Sequence, residues 1–343
     1  MHMGFFNLSF LFVLGFVVGQ LAFADTHKSI KIGFSMDTLK EERWQKDRDM
    51  FVKRAKELGA EVLVQAANGN DNLQLSQSEN LLTQGVDVLV VAPHNGMTSR
   101  SIVAAAHKMG KKVISYDRLI ENADVDLYLS FDNFEIGRLQ AKYVLDRVSK
   151  GNYVLIGGAP TDHNAKLYRD GQLSALKASV TSGDIKIVAD PWAREWLATE
   201  ALKDTENALT KTNNNIQAII ASNDGLAGGV ISALKQQNLQ GKVLVSGMDA
   251  ELAACQRVVE GSQAMTVYKP IKALASKAAE AAFDLAQGKT VETTSKINNG
   301  KIDVPAVLLK PIVVDKDNME ATVIADHYHS ELEVYKNVAR NHK

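Results

Sequence analysis

Residues 86–92 read VDVLVVA and residues 217–222 read QAIIAS. Both are short, nearly unbroken apolar runs rich in β-branched residues. A strand wet on one face alternates apolar and polar; an unbroken run marks a strand buried on both faces, as in a parallel sheet. Working outward from the first run, similar segments appear at 30–35, 61–66, 112–116 and 127–130. Outward from the second they appear at 153–156, 185–188, 243–246 and 265–268.

Between these segments lie amphipathic helical patterns. In residues 41–58, Trp44, Phe51, Val52, Ala55 and Leu58 recur at helical spacing, and Gly59 is placed to end the helix. Thr38 with Glu41 fits a capping box, and Glu42 with Lys46 an i,i+4 ion pair. Strand–helix–strand repetition predicts an α/β fold with doubly wound parallel sheets. So many strands exceed one comfortable sheet, so two lobes are expected. The first series ends near 132 and the second near 270; a helix over 271–287 and an apolar run over 306–314 follow. The chain is therefore expected to cross between lobes near 131–133, 269–270 and 298–304. That gives an N-terminal lobe of 25–132 plus 270–299, a C-terminal lobe of 133–269 plus 300–330, and a polar surface tail over 331–343.

Residues 10–23 (FLFVLGFVVGQLAF) are apolar and uncharged, shorter than the roughly 20 residues of a membrane span, and end at Ala22-Phe23-Ala24. The stretch 1–24 is read as a signal peptide, with no cysteine near the cleavage point for a lipid anchor, and an exported protein is expected. The 343 residues carry 39 Lys and Arg against 40 Asp and Glu, a net charge of −1, which removes the electrostatic footprint of a nucleic-acid binder. The single cysteine, Cys255, allows neither an internal disulfide nor a multi-thiolate metal site. There is no G-x-G-x-x-G, no P-loop, no HExxH and no G-x-S-x-G, so no cofactor and no catalytic group is expected. Asp315-Lys316-Asp317-Asn318 opens like a calcium loop, but Glu320 stands where glycine is required.

Open α/β sheets bind ligands beyond the carboxyl ends of their strands. Those positions here hold Asp37, with Arg43 and Trp44 on the next helix; Asp117 and Arg118; Asp162 and Asn164, with Arg169 further on; Asn223 and Asp224; Asp249; and Lys269. Mixed carboxylates, carboxamides and cations suit a neutral polyhydroxylated ligand, since each hydroxyl both donates and accepts. Trp44, Trp192 and Trp196 are candidates to cover an apolar sugar face. Each residue has a plainer use: Asp117–Arg118 as a turn ion pair, Asp162, Asn164, Asn223, Asp224 and Asp249 as helix caps, Trp44 as core, Lys269 in a solvated turn. Their shared location favours a site.

The stretches ERWQKDRDMFVKRAKELGAEV (42–62), QAANGN, GVDVLVVAPHNG, SYDR (115–118), SFDN, GGAPTDHNAKLYRDGQ (157–172), ASNDGLAGG (221–229) and MTVYKP carry a resemblance. From about residue 30 to 331 the chain resembles the ribose-type (cluster B) sugar-binding proteins of bacterial ABC transporters, and among them the D-xylose binders. The resemblance implies a type I periplasmic-binding-protein fold, two lobes joined by three hinge crossings. It implies a monomeric, non-enzymatic periplasmic protein that binds D-xylose or a related monosaccharide and passes it to a membrane permease with its ATPase subunit. It also implies sugar contacts at Arg43, Trp44, Asp117, Arg118, Asp162, Asn164, Arg169, Trp196, Asn223 and Asp249, with Lys269 at a hinge crossing.

Overall fold

The computed structural model describes residues 29–339 together with residues 1, 2 and 4. The signal-peptide reading of 1–24 thus falls almost wholly outside the described residues, as do residues 340–343. The strands are β1 (Lys31–Met36), β2 (Glu61–Ala66), β3 (Val88–Ala92), β4 (Lys112–Tyr116), β5 (Leu127–Phe131), β6 (Gly151–Ile156), β7 (Ile185–Ala189), β8 (Ala218–Ala221), β9 (Leu244–Ser246), β10 (Thr266–Tyr268), β11 (Ser295–Asn298), β12 (Asp303–Leu309) and β13 (Ile312–Val314). The helices are α1 (Glu42–Glu57), α2 (Asp71–Thr83), α3 (Arg100–Lys108), α4 (Asn133–Leu145), α5 (His163–Ser182), α6 (Ala198–Lys211), α7 (Asp224–Gln236), α8 (Leu252–Glu260), α9 (Ile271–Ala286) and α10 (Glu331–Val334). Among the described residues no helix is long and apolar enough to cross a membrane.

One sheet has the order β11-β12-β5-β4-β3-β1-β2, parallel except for the β11 edge. The other has the order β7-β6-β8-β9, all parallel, and β10 joins its end through a Met248–Val267 bridge with β13 antiparallel to β10. The architecture is the expected α/β pair of doubly wound lobes. Strand β3 explains why an unbroken apolar run was needed. All five of its residues are fully buried; Val88, Val90 and Ala92 face the core shared with Phe51 and Ala278, while Leu89 and Val91 face Leu81, Ile102 and Val103. Two-sided burial of this kind contributes roughly 1.5–3 kcal/mol per large aliphatic side chain.

The third crossing differs from expectation. Residues 298–304 are the hairpin between β11 and β12, where Asn298 pairs with Asp303 and Gly300 takes φ +92°. Residues 303–309 then lie in the first sheet, with Ala306–Leu309 parallel to Tyr128–Phe131, so 300–309 does not belong to the C-terminal lobe. The chain crosses at Lys310–Pro311. Proline has no N–H for a ladder, so the apolar run 306–314 splits between two sheets there. The tail is also less free than its polarity suggests: Val334 is buried, as are Tyr328 and His329 just before the tail. His329 Nε2 sits 2.8 Å from the Ala250 carbonyl, and the Gln256 amide donates to the Glu333 carbonyl at 2.9 Å. The Thr38–Glu41 capping box does not form; Glu41 is the N-cap of α1, with no side-chain cap bond, and Thr38 Oγ1 accepts from the Lys40 amide instead. The Glu42–Lys46 pair does form, at 3.0 Å.

Candidate functional site

The two sheets present their carboxyl ends to each other, and the residues that follow the strands meet between them. At the end of β4, Asp117 takes φ +61°, a left-handed conformation that aspartate tolerates better than most residues. Its carbonyl is clamped in place, accepting from Ser130 Oγ at 2.6 Å, Asn164 Nδ2 at 2.9 Å and Tyr128 OH at 3.0 Å. This turn sends two adjacent charged side chains to different partners. Asp117 Oδ2 accepts from Arg43 Nη2 at 2.8 Å. Arg118 instead donates to Asp37 at 2.7 Å and lies against Asp162 at 2.9 Å. The turn ion pair between Asp117 and Arg118 is therefore absent.

Arg43, on the first turn of α1, is almost fully buried. Its Nε donates to Asp47 one turn on, at 3.0 Å, and its Nη1 lies 3.7 Å from Asp249 on the opposite lobe. Burial opposes its charge, but Asp117, Asp47 and Asp249 together hold its pKa well above the ordinary value. Burial likewise pushes Asp117 up, and Arg43 and Lys269 outweigh it, so Asp117 stays ionised below the usual range. For Asp162 burial wins over Arg118 and the pKa rises. Lys269 Nζ stands 2.9 Å from Asp249 Oδ1 and 3.9 Å from Asp117 Oδ2. The 2.9 Å contact is an ion pair out of hydrogen-bond alignment, so Asp249 Oδ1 still has a lone pair for another donor.

Several of these residues serve two purposes. Asp162 caps α5 through the Asn164 amide at 2.9 Å and also pairs with Arg118. Asn223 caps α7 through the Leu226 amide at 2.9 Å, and its side chain also lines the pocket. Asp249 is no cap, because α8 starts after Glu251. Trp44 is buried and carries the Arg43 guanidinium 4.3 Å above its ring centroid and that of Arg118 at 5.2 Å. Trp196 packs edge-on to Tyr168 at 6.4 Å, with its indole Nε1 buried and unpartnered. Gly158 makes room for it: a Cβ there would lie 2.0 Å from the indole.

The resulting pocket is small, and its roughly 300 Å³ of space between atoms includes its opening to solvent. It is lined by Arg43, Trp44, Asp117, Arg118, Asp162, Trp196, Asn223, Asp249 and Lys269 from the sequence-based set, with Glu41, Tyr168 and Met248 added. Asn164 lies behind it, bonded to Asp117 and accepting from Asn133 Nδ2 at 2.9 Å. Arg169 is not brought in. Five residues past Asn164 on α5, it points to another face of the helix, where it contacts Asp190, donates to Gln172 at 3.1 Å and sits 4.9 Å over Trp192. Burial there lowers its pKa to about 10. Trp192 is thereby also occupied away from the pocket. Tyr168 was legible as the i+4 neighbour of Asn164, and Asp47 as the i+4 neighbour of Arg43; Glu41 and Met248 carried no signal beyond adjacency to the site. A larger vestibule opens in front, lined among others by Asp37, Lys40, His94, Thr161 and Glu195. Among the described residues no group of His, Cys, Asp and Glu could hold a metal ion.

A family model described as a periplasmic binding protein domain matches residues 32–290. The chain is 53% identical to the D-xylose-binding periplasmic protein of Haemophilus influenzae over 308 residues, covering 90% of this chain and 93% of that protein. It is also 53% identical over 307 residues, with the same coverage, to the D-xylose-binding periplasmic protein of Escherichia coli. Among solved structures, a carbohydrate transporter solute-binding protein from Chloroflexus aurantiacus in complex with D-glucose superposes with a TM-score of 0.84. Its sequence is 30% identical, and the match covers 89% of this chain and 98% of that one. On fold, strand-end chemistry and sequence together, the chain belongs to the periplasmic-binding-protein family.

Proposed function

We propose that this protein captures D-xylose in the periplasm between its two lobes and delivers it to the permease of an ABC transporter, without chemical change to the sugar. The observation that carries this reading is the pocket itself: cations and carboxylates from both lobes converge on one small space, already oriented by one another. A sugar hydroxyl entering that frame donates to Asp117, Asp162 or Asp249 and accepts from Arg43, Arg118 or Lys269, with little rotamer entropy left to lose. The indole Nε1 of Trp196 and Asp249 Oδ1 supply a further donor and acceptor. Trp44 and Trp196 are assigned the apolar faces of the ring.

Lobe closure follows from the same contacts. Arg118 to Asp162 at 2.9 Å, Arg43 to Asp249 at 3.7 Å and the Leu252 amide to Glu42 at 2.9 Å all join one lobe to the other. Sugar bound between the lobes adds contacts that only the closed form offers, and that differential affinity shifts the population towards closure. The connecting segments at 131–133, 269–270 and 310–311 are assigned as the hinges, and the closed form as the one the permease reads.

Calorimetry tests the sugar and small-angle scattering the motion. D-xylose is expected to bind tightly, D-glucose much more weakly, and the monomer to become more compact on adding D-xylose. Equal affinity for the two sugars would sink xylose specificity, and an unchanged radius at saturating D-xylose would sink closure. A second reading, a binding protein for another monosaccharide, is favoured by the D-glucose held in the Chloroflexus aurantiacus protein; a panel of pentoses and hexoses in the same titration separates the two.

A further inference from the structure

The pocket and the vestibule in front of it share three walls, Glu41, Arg118 and Trp196. A substituent of a bound ring that leaves the pocket towards the vestibule passes between them. The remaining charged walls are locked: Arg43, Asp117, Asp249 and Lys269 hold one another through buried ion pairs, Asp162 is paired with Arg118, and retracting any of them strands a charge. Ring growth is therefore accommodated or refused on the vestibule side.

Two of the three shared walls are already engaged. Arg118 is tied to Asp37 and Asp162, and Trp196 fills the space above Gly158. Glu41 is held differently. It stands at the N-cap of α1 without making a cap bond, and its side chain is only 10% exposed. Its Oε1 pairs with Lys40 at 2.9 Å, while its Oε2 is buried with no hydrogen-bond partner. Beyond it, the vestibule wall carries Asp37 Oδ1 and Thr161 Oγ1, also buried and unpartnered.

We infer that Glu41 is a specificity-determining residue, whose carboxylate bars the passage to the hydroxymethyl group that distinguishes a hexopyranose from a pentopyranose. This rests on the reading of the pocket as a pentose site. At C5, the non-anomeric carbon next to the ring oxygen, a pentopyranose carries only hydrogens, where a hexopyranose carries CH2OH. With the bar shortened, that hydroxyl reaches the vestibule, where Asp37 Oδ1 and Thr161 Oγ1 can bond it. Refusal of one extra carbon by a fitted wall amounts to about 10- to 200-fold in affinity.

The test is calorimetry of the full chain with D-xylose, 6-deoxy-D-glucose and D-glucose, before and after Glu41→Ser. The wild-type protein is expected to refuse 6-deoxy-D-glucose and D-glucose alike, since a methyl group already meets the bar. In Glu41→Ser the preference for D-xylose over D-glucose should fall at least about tenfold, through tighter glucose binding. A preference within about twofold of wild type overturns the inference. So does a wild-type protein that binds 6-deoxy-D-glucose as well as D-xylose, a result that needs no variant to fold. Failure of the wild-type protein to bind D-xylose at all sinks the pentose reading instead, and is told apart by that first titration.

Discussion

Asp117 and Arg118 are neighbours in the chain and yet belong to different ion-pair systems, one centred on Arg43 and the other joining Asp37 to Asp162. The left-handed turn at Asp117 makes that separation, and nothing in the tetrapeptide SYDR announces it. Burial opposes the charge of Arg118, and Asp162 and Asp37 more than offset it, so its pKa is raised and it stays a cation at any working pH. Truncating it leaves two buried carboxylates without their cation. Arg118→Ala is expected to weaken D-xylose binding by about 2–5 kcal/mol. A calorimetric loss below about 0.5 kcal/mol would place the sugar elsewhere. Residue types at the strand ends were legible beforehand, because a ligand site there needs polar groups whatever their pairing. Partners were not, and neither was the diversion of Arg169, because a long side chain reaches whichever carboxylate the fold brings near it.

Helices α4 and α5 approach until backbone meets backbone. A Cβ on Gly137 would lie 1.9 Å from the Tyr168 carbonyl oxygen, and one on Gly171 would lie 2.0 Å from that of Phe134. No side chain can yield at such a contact, so the helices would have to separate. Gly171→Ala is expected to cost about 1–3 kcal/mol of stability, the usual range for overpacking, and thermal unfolding measures it. Because α5 carries Asn164 and Tyr168, and Asp162 caps it, sugar affinity should fall with the melting temperature. An unchanged melting temperature would refute the close approach. At this scale the strands were readable nearly to their ends: 61–66 and 112–116 are observed with the expected bounds, and the run 217–222 holds the strand 218–221. Their apolar runs are continuous because both faces are buried. The run 306–314 was misread because one stretch of like composition serves two sheets, and only Pro311 marks the change.

Across the whole molecule, closure carries its own electrostatics. His94, after β3, faces Asp71 on its own lobe and Glu195 on the other, the latter at 2.9 Å, with Asp37 nearby and Lys40 donating to the Glu195 carbonyl at 2.6 Å. On the other side, His163 Nδ1 lies 3.1 Å from Glu121, again between lobes. Burial lowers the pKa of His94, but the bond to Asp71, the charge of Asp37 and the bond to Glu195 together raise it above 6.5. A raised pKa means the bridge contributes fully below about pH 6.5 and is lost as pH climbs through the raised value. The Asp71 contact lies within one lobe and survives opening; the Glu195 contact does not. Affinity for D-xylose should therefore weaken as pH climbs through the raised value, and Glu195→Gln should flatten that dependence. Parallel pH profiles for the two proteins would show that the bridge has no part in closure. The amino-acid sequence alone determined the α/β class, the position of the first ten strands and the chemistry at the strand ends, because burial pattern and turn residues act over a few neighbours. Tertiary structure alone decided the site of the third crossing, the pairing of the buried charges across the lobes and the Glu41 wall. Those depend on which distant segments converge, and on buried charges selecting partners by distance rather than by order along the chain.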